Sequence, residues 1–434
     1  MGQRKEDIER REYRRKRRQR NQTLAYMVLF LLVAAIAAGG ILGAKKFTDH
    51  QGAEEKESKE SQSAVQDLLE SEEPLTIESS VKVPTPEELL EEMVEAAIEV
   101  MPLEDKVAGL FMVTPESITG VTTAVRAGDG TRDALAKYAV GGIVYFTKNI
   151  QSADQLKEMI SNTNSYSRYP LFIGVDEEGG SVNRVASSGL ADKLDSAKNI
   201  GQTQDTANAY DAGVAIGTYL AKFGFNLDLA PVADLANIEN SIMESRSYGS
   251  DASVVAPFVV SMMQGLEEQK VTACLKHFPG IGSTTQDTHK GIAVSDRSAG
   301  EFWNNEFTVF KAGIDAGANM IMVGHMAVPS LVGDNTPSTM SEIIVTDILR
   351  NELEFEGVII TDAMNMSAIA EYYEADVAAI TAIKAGCDMV LMPENFEKAY
   401  NGVLQAVKDG VISEERVNDS LKRIYRIKYA GKIE

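Results

Sequence analysis

The amino-acid sequence predicts a closed (β/α)8 barrel, an α/β fold, and three observations carry that prediction. Eight short apolar runs recur between residues 106 and 393. Amphipathic stretches such as ADQLKEMISNTNS (153–165) and VTDILRNEL (345–353) separate most of them, with apolar residues at helical spacing. That alternation marks a parallel α/β sheet. Eight β/α units in roughly 330 residues suit a closed barrel better than an open doubly wound sheet. No Gly-x-Gly-x-x-Gly follows the first run, which lowers the nucleotide-binding alternative.

The elements follow in chain order. Residues 1–23 hold ten Lys/Arg against four acids, a charge of about +6, so the rest of a chain with net charge -22 carries about -28. So acidic a body repels nucleic acid and favours solubility. Leu24 to Ala44 is a 21-residue stretch without a charge, long enough to cross a membrane once as a helix. Basic residues crowd its N-terminal flank, and only Lys45 and Lys46 follow directly. The positive-inside rule then puts residue 1 in the cytoplasm and everything after residue 46 outside. A cleaved signal peptide, cut after Ala35-Ile36-Ala37, is the rival reading. No Cys follows the run, which argues against a lipoprotein anchor.

Residues 45–86 read as an acidic flexible linker, rich in Glu, Ser and Lys and closed by Pro84 and Pro86. A helical pattern begins near Glu87, and the catalytic body extends over 87–434. The expected strands are 106–113, 141–149, 171–180, 225–235, 271–280, 318–329, 357–366 and 387–393. The two cysteines, Cys274 and Cys387, each sit in an apolar run and read as small buried hydrophobes rather than a disulfide. No metal site or organic cofactor is implied. With 44% hydrophobic and 24% charged residues, a large core is available.

The polar clusters of interest fall at the C-terminal ends of the expected strands: Asp176 after the third, Lys276 and His277 at the fifth, His325 at the sixth, Asp362 at the seventh. In a barrel those ends converge on one mouth, where catalytic groups belong. Three of the four histidines follow strands five and six.

Lys276-His277-Phe278-Pro279-Gly280-Ile281-Gly282, followed by Asp287-Thr288-His289, resembles the KHFPG-x-G…D-[ST]-H signature of bacterial β-N-acetylglucosaminidases in glycoside hydrolase family 3. Ile360-Thr361-Asp362-Ala363-Met364-Asn365-Met366 is similar to that family's nucleophile segment. Val175-Asp176-Glu177-Glu178-Gly179-Gly180…Arg184 and Arg246-Ser247-Tyr248-Gly249 resemble two sugar-contacting segments. The similarity spans roughly residues 100–430 in compatible order. The chain departs from the family in having Ile281 where His is frequent and Ser181 where Arg is frequent.

The resemblance implies a retaining hydrolase in which Asp362 attacks the anomeric carbon and forms a covalent glycosyl-enzyme. It implies a His–Asp pair, Asp287 with His289, in place of the usual carboxyl acid/base. Residues two apart in extended chain point the same way, so the Asp287 carboxylate can hold one imidazole nitrogen while the other donates a proton. Asp176, Arg184, Arg246, Lys276 and His277 would bind the sugar. Adjacent strand residues normally face opposite sides, so Lys276 and His277 both reach it only if the strand ends or bulges there. Glu177 and Glu178 read as structural, and His325 receives no role. Larger relatives carry a second domain that supplies a Glu acid; the chain ends at Glu434 after a final helical pattern, and the expectation is a single catalytic domain.

The expected partner is GlcNAc-containing cell-wall glycan, met outside the membrane. Phosphorolysis in place of hydrolysis, a β-glucosidase of the same family, and a catalytically silent wall-sugar-binding protein remain as alternatives.

Overall fold

The computed structural model describes residues 84–287 and 290–431. The expected basic segment (1–23), membrane span (24–44) and nearly all of the linker lie outside the described residues. Among the described residues no helix is long and apolar enough to cross a membrane.

The folded part opens with the helix Pro86–Glu99, one residue before the expected start. Thr85 caps it: its hydroxyl accepts the Glu88 N–H while the Glu88 carboxylate accepts the Thr85 N–H, satisfying two donors that a helix start leaves open. Val94 and Ile98, one turn apart, are buried, and the helix packs on the last one, Glu414–Ala430.

Eight parallel strands form the barrel: β1 Phe111–Val113, β2 Gly142–Val144, β3 Phe172–Val175, β4 Leu227–Asp228, β5 Thr272–Phe278, β6 Met320–Val323, β7 Val358–Thr361 and β8 Val390–Leu391. They pair in the order β8-β1-β2-β3-β4-β5-β6-β7. A parallel bridge between Ile360 and Met389 joins β7 to the start of β8 and completes the ring. The ladders are shorter than the apolar runs that predicted them. Residues 106–108 belong to a helix, Leu103–Ala108, not to the first strand. Pro102 precedes that helix, Glu104 and Asp105 lie in its first turn, and Gly109 ends it, a set of helix start and stop signals that overrides the apolar run. The fourth run contracts to two residues, although the Ala230 and Pro231 carbonyls beyond it still accept the Cys274 and Lys276 N–H groups of β5.

The barrel interior is packed, not hollow. Met112 of β1 is fully buried, and Gly142 and Gly174 on β2 and β3 leave it room. A Cβ at Gly174 would lie 2.4 Å from the Met112 methyl, inside van der Waals contact. Burying one such side chain contributes about 1.5–3 kcal/mol.

Candidate active site

The C-terminal ends of the strands open onto a cavity of about 300 Å³. That is the low end of the usual range for small-molecule sites, about 300–1,000 Å³, and suits one sugar ring better than several. Its lining includes Asp176, Arg184, Arg246, Lys276, His277 and Asp362, so six of the eight residues singled out in the sequence meet there.

One wall is a buried ion network. Lys276, 2% exposed, places its Nζ 2.7 Å from Asp176 Oδ1 and 2.7 Å from Glu178 Oε1. Arg246 grips Glu178 with two donors, Nε at 2.8 Å and Nη2 at 2.6 Å. Arg184 lies over the Phe146 ring and keeps one looser contact, 3.6 Å, to Asp176. Burial alone would raise the Glu178 carboxyl, but the Lys276 and Arg246 charges and their hydrogen bonds outweigh it and hold it at about 2. Burial would lower Lys276; Asp176 and Glu178 reverse that and keep the ammonium charged. Glu178, read from sequence as structural, therefore forms part of the cavity wall. The signal was available: residues two apart on a strand share a face, so an acid at 178 accompanies Asp176.

Lys276 and His277 both reach the cavity because β5 bulges. Leu275 pairs with Ile321 but Phe278 with Val323, three steps on one strand against two on the other. The extra residue breaks the alternation. His277 Nδ1 lies 2.7 Å from Asp234 Oδ2, and the His277 and Ile281 N–H groups also donate to that carboxylate. Asp234 has no local sequence signal, since its partner is 43 residues away.

Asp362 follows β7 directly. Its N–H donates to the Val323 carbonyl, and its Oδ1 accepts the Ala363 N–H at 2.7 Å. Burial would raise this carboxyl, yet the His277 and His325 imidazoles, the Ala363 N–H and Lys276 together lower it below the ordinary aspartate range. His325 is fully buried, with Nδ1 2.9 Å from the Thr339 hydroxyl and Nε2 3.0 Å from the Ala363 carbonyl, so it braces the segment that carries Asp362.

The remaining two candidates stand differently. Asp287 is about a third exposed, 3.9 Å from Lys290, on the loop that follows β5 at the same end of the barrel, and it does not line the cavity. His289 lies outside the described residues. The chemistry available in the cavity is a carboxylate held ionised next to a polar, cation-rich wall. Glu178, ion-paired with Lys276 and Arg246 and held at about 2, is a poor proton donor.

Comparison with known proteins agrees with this geometry. Residues 102–427 match the model of the glycosyl hydrolase family 3 N-terminal domain. A β-hexosaminidase A of Pseudoalteromonas piscicida is 31% identical over 330 residues, covering 68% of this chain and 54% of that protein. A β-hexosaminidase of Nitrosomonas eutropha is 33% identical over 267 residues, 60% of this chain and 76% of that one. A solved family 3 β-N-acetylglucosaminidase from a Paenibacillus species superposes with a TM-score of 0.73 at 30% identity, covering 77% of this chain and 63% of that chain. The chain thus spans about half the length of some curated relatives it matches. With the barrel, the cavity and a match over most of its length all in agreement, this chain belongs to glycosyl hydrolase family 3.

Proposed function

We propose that the chain is a retaining exo-β-N-acetylglucosaminidase that removes a terminal β-linked GlcNAc from cell-wall glycan, outside a membrane to which residues 24–44 anchor it. One observation carries the reading most. A one-sugar cavity holds an ionised Asp362 at one side and a paired, preorganised wall of charged donors and acceptors at the other. The name of the solved Paenibacillus relative supports the same sugar, and the names of the two curated relatives support the wider class of hexosaminides.

In the first step the Asp362 carboxylate forms a bond to the anomeric carbon as the glycosidic C–O bond breaks. His289, as imidazolium oriented by Asp287, gives its proton to the departing oxygen. In the second step the neutral imidazole takes a proton from water, whose oxygen displaces Asp362. The binding wall holds hydroxyls through charge-assisted hydrogen bonds, which are shorter and stronger than neutral ones. Because Asp362 attacks directly, the acetamido group is not required as nucleophile.

The test is a substrate panel on the full chain. Release of aryl alcohol from an aryl β-N-acetylglucosaminide, well above release from the aryl β-glucoside, with free GlcNAc as product, is the expected result. A preference for the glucoside, or sugar 1-phosphate formed only when phosphate is added, would replace the reading by one of its two carbohydrate-active alternatives. No turnover of either substrate would favour a silent sugar-binding protein.

A further inference from the structure

Asp176, Glu177 and Glu178 are three consecutive acids, and the pleat sends the outer two into the cavity and the middle one away from it. Glu177 is fully buried and touches no part of the cavity, yet its carboxylate accepts four hydrogen bonds. Oε2 accepts the backbone N–H groups of Arg184, at 2.6 Å, and Val185, at 2.8 Å. Oε1 accepts the Ala186 N–H and the Tyr219 hydroxyl, both at 2.9 Å. The Glu177 N–H in turn donates to Oδ1 of Asp228, a fully buried residue of β4. Between these anchors runs the small hairpin of Glu177–Gly179 with Val182–Asn183. It begins next to Asp176 and ends at Arg184, the two residues that face each other at 3.6 Å across the cavity wall.

We propose that Glu177 is a positioning residue for sugar binding: its carboxylate clamps residues 184–186 and thereby sets the Arg184 guanidinium against Asp176. This rests on the reading that those two side chains hold the sugar. A carboxylate suits the task because all four of its neighbours are donors, and an acceptor-only group satisfies every one. Burying such a charge is costly and pushes the Glu177 carboxyl above its ordinary value, a cost that the four donors offset in part. A glutamine of the same shape cannot do so. In either orientation its NH2 group faces at least one backbone N–H.

Kinetics and amide hydrogen exchange test the clamp on Glu177→Gln, Tyr219→Phe and Arg184→Ala variants of the full chain. Glu177→Gln should raise KM for an aryl β-N-acetylglucosaminide about three- to tenfold while kcat stays within about twofold. Adding Glu177→Gln to Arg184→Ala should cost nothing more, since the clamp acts through that guanidinium. Exchange of the 184–186 amides should accelerate at least about tenfold in Glu177→Gln, and less in Tyr219→Phe, which removes one donor of four. Unchanged KM and unchanged exchange in both single variants would overturn the proposal. So would losses from Glu177→Gln and Arg184→Ala that multiply. If Glu177→Gln fails to fold, Tyr219→Phe carries the same comparison at smaller amplitude. A wild-type chain inactive on every GlcNAc substrate would defeat the functional reading, and the exchange rates would then decide the clamp by themselves.

Discussion

On the wall built from β3, β5 and the 246 segment, every charge has a partner: Lys276 with Asp176 and Glu178, and Arg246 bidentate on Glu178. On the opposite rim the carboxylate of Asp362 takes a single hydrogen bond among the described residues, from the N–H of its own neighbour, and Asp287 sits on a loop a third exposed. The two regions answer different demands. A binding wall works best when its donors and acceptors are fixed before the sugar arrives, which buried pairing achieves. The attack proposed for Asp362 needs a free lone pair, so an ion pair at that carboxylate would oppose it.

The contrast can be broken most sharply at the sparse rim. Asp362→Ala should lower turnover by about 10⁴-fold or more while circular dichroism and melting stay close to wild type, since among the described residues Asp362 makes no ion pair. Retained activity would reject this nucleophile. His289→Ala should slow alkyl and sugar leaving groups by about 10²–10⁴-fold and activated aryl groups far less, because the latter depart without a proton. Equal losses on both would argue against a proton donor.

The paired wall should respond in stability instead. Lys276→Met leaves Asp176 and Glu178 facing each other with less cationic compensation, and breaking a buried pair in this way costs about 3–5 kcal/mol. A melting temperature within a degree of wild type would show the wall is not preorganised by pairing. The smallest effect concerns acid. The Glu178 carboxyl sits at about 2 in the fold and about 4.3 when unfolded, so its contribution is present above the unfolded value and is lost as pH falls toward 2. Glu178→Gln should therefore flatten the loss of stability between those pH values, and denaturant titrations at pH 5, 4 and 3 would show it. An unchanged slope would count against the ion network as drawn.

Much of this was legible in the sequence, for identifiable reasons. All eight strand positions were marked by apolar runs, because parallel barrel strands are buried on both faces and need no alternation. Their limits were not, since the same apolar residues continue into helix ends and loop roots, as at 106–108 and 230–235. Six residues that line the cavity were readable because they lie within short motifs, four of them (Asp176, Lys276, His277 and Asp362) at or just past a strand end. Asp234 and His325 escaped assignment because their work is to hold His277 and Ala363 across long sequence separations, a relation no local pattern records. Glu177 and Glu178 look alike in sequence, and only their opposite facing in the fold separates a clamp from a binding residue.

The claim everything else depends on is covalent attack by Asp362. It is tested most directly by trapping with a fluorinated N-acetylglucosaminyl fluoride, whose glycosyl-enzyme hydrolyses slowly, followed by peptide mass spectrometry. One added sugar mass is expected on the peptide that contains Asp362, and none in Asp362→Ala. An adduct on another residue, or turnover of the reagent with no adduct accumulating at any time, would contradict it.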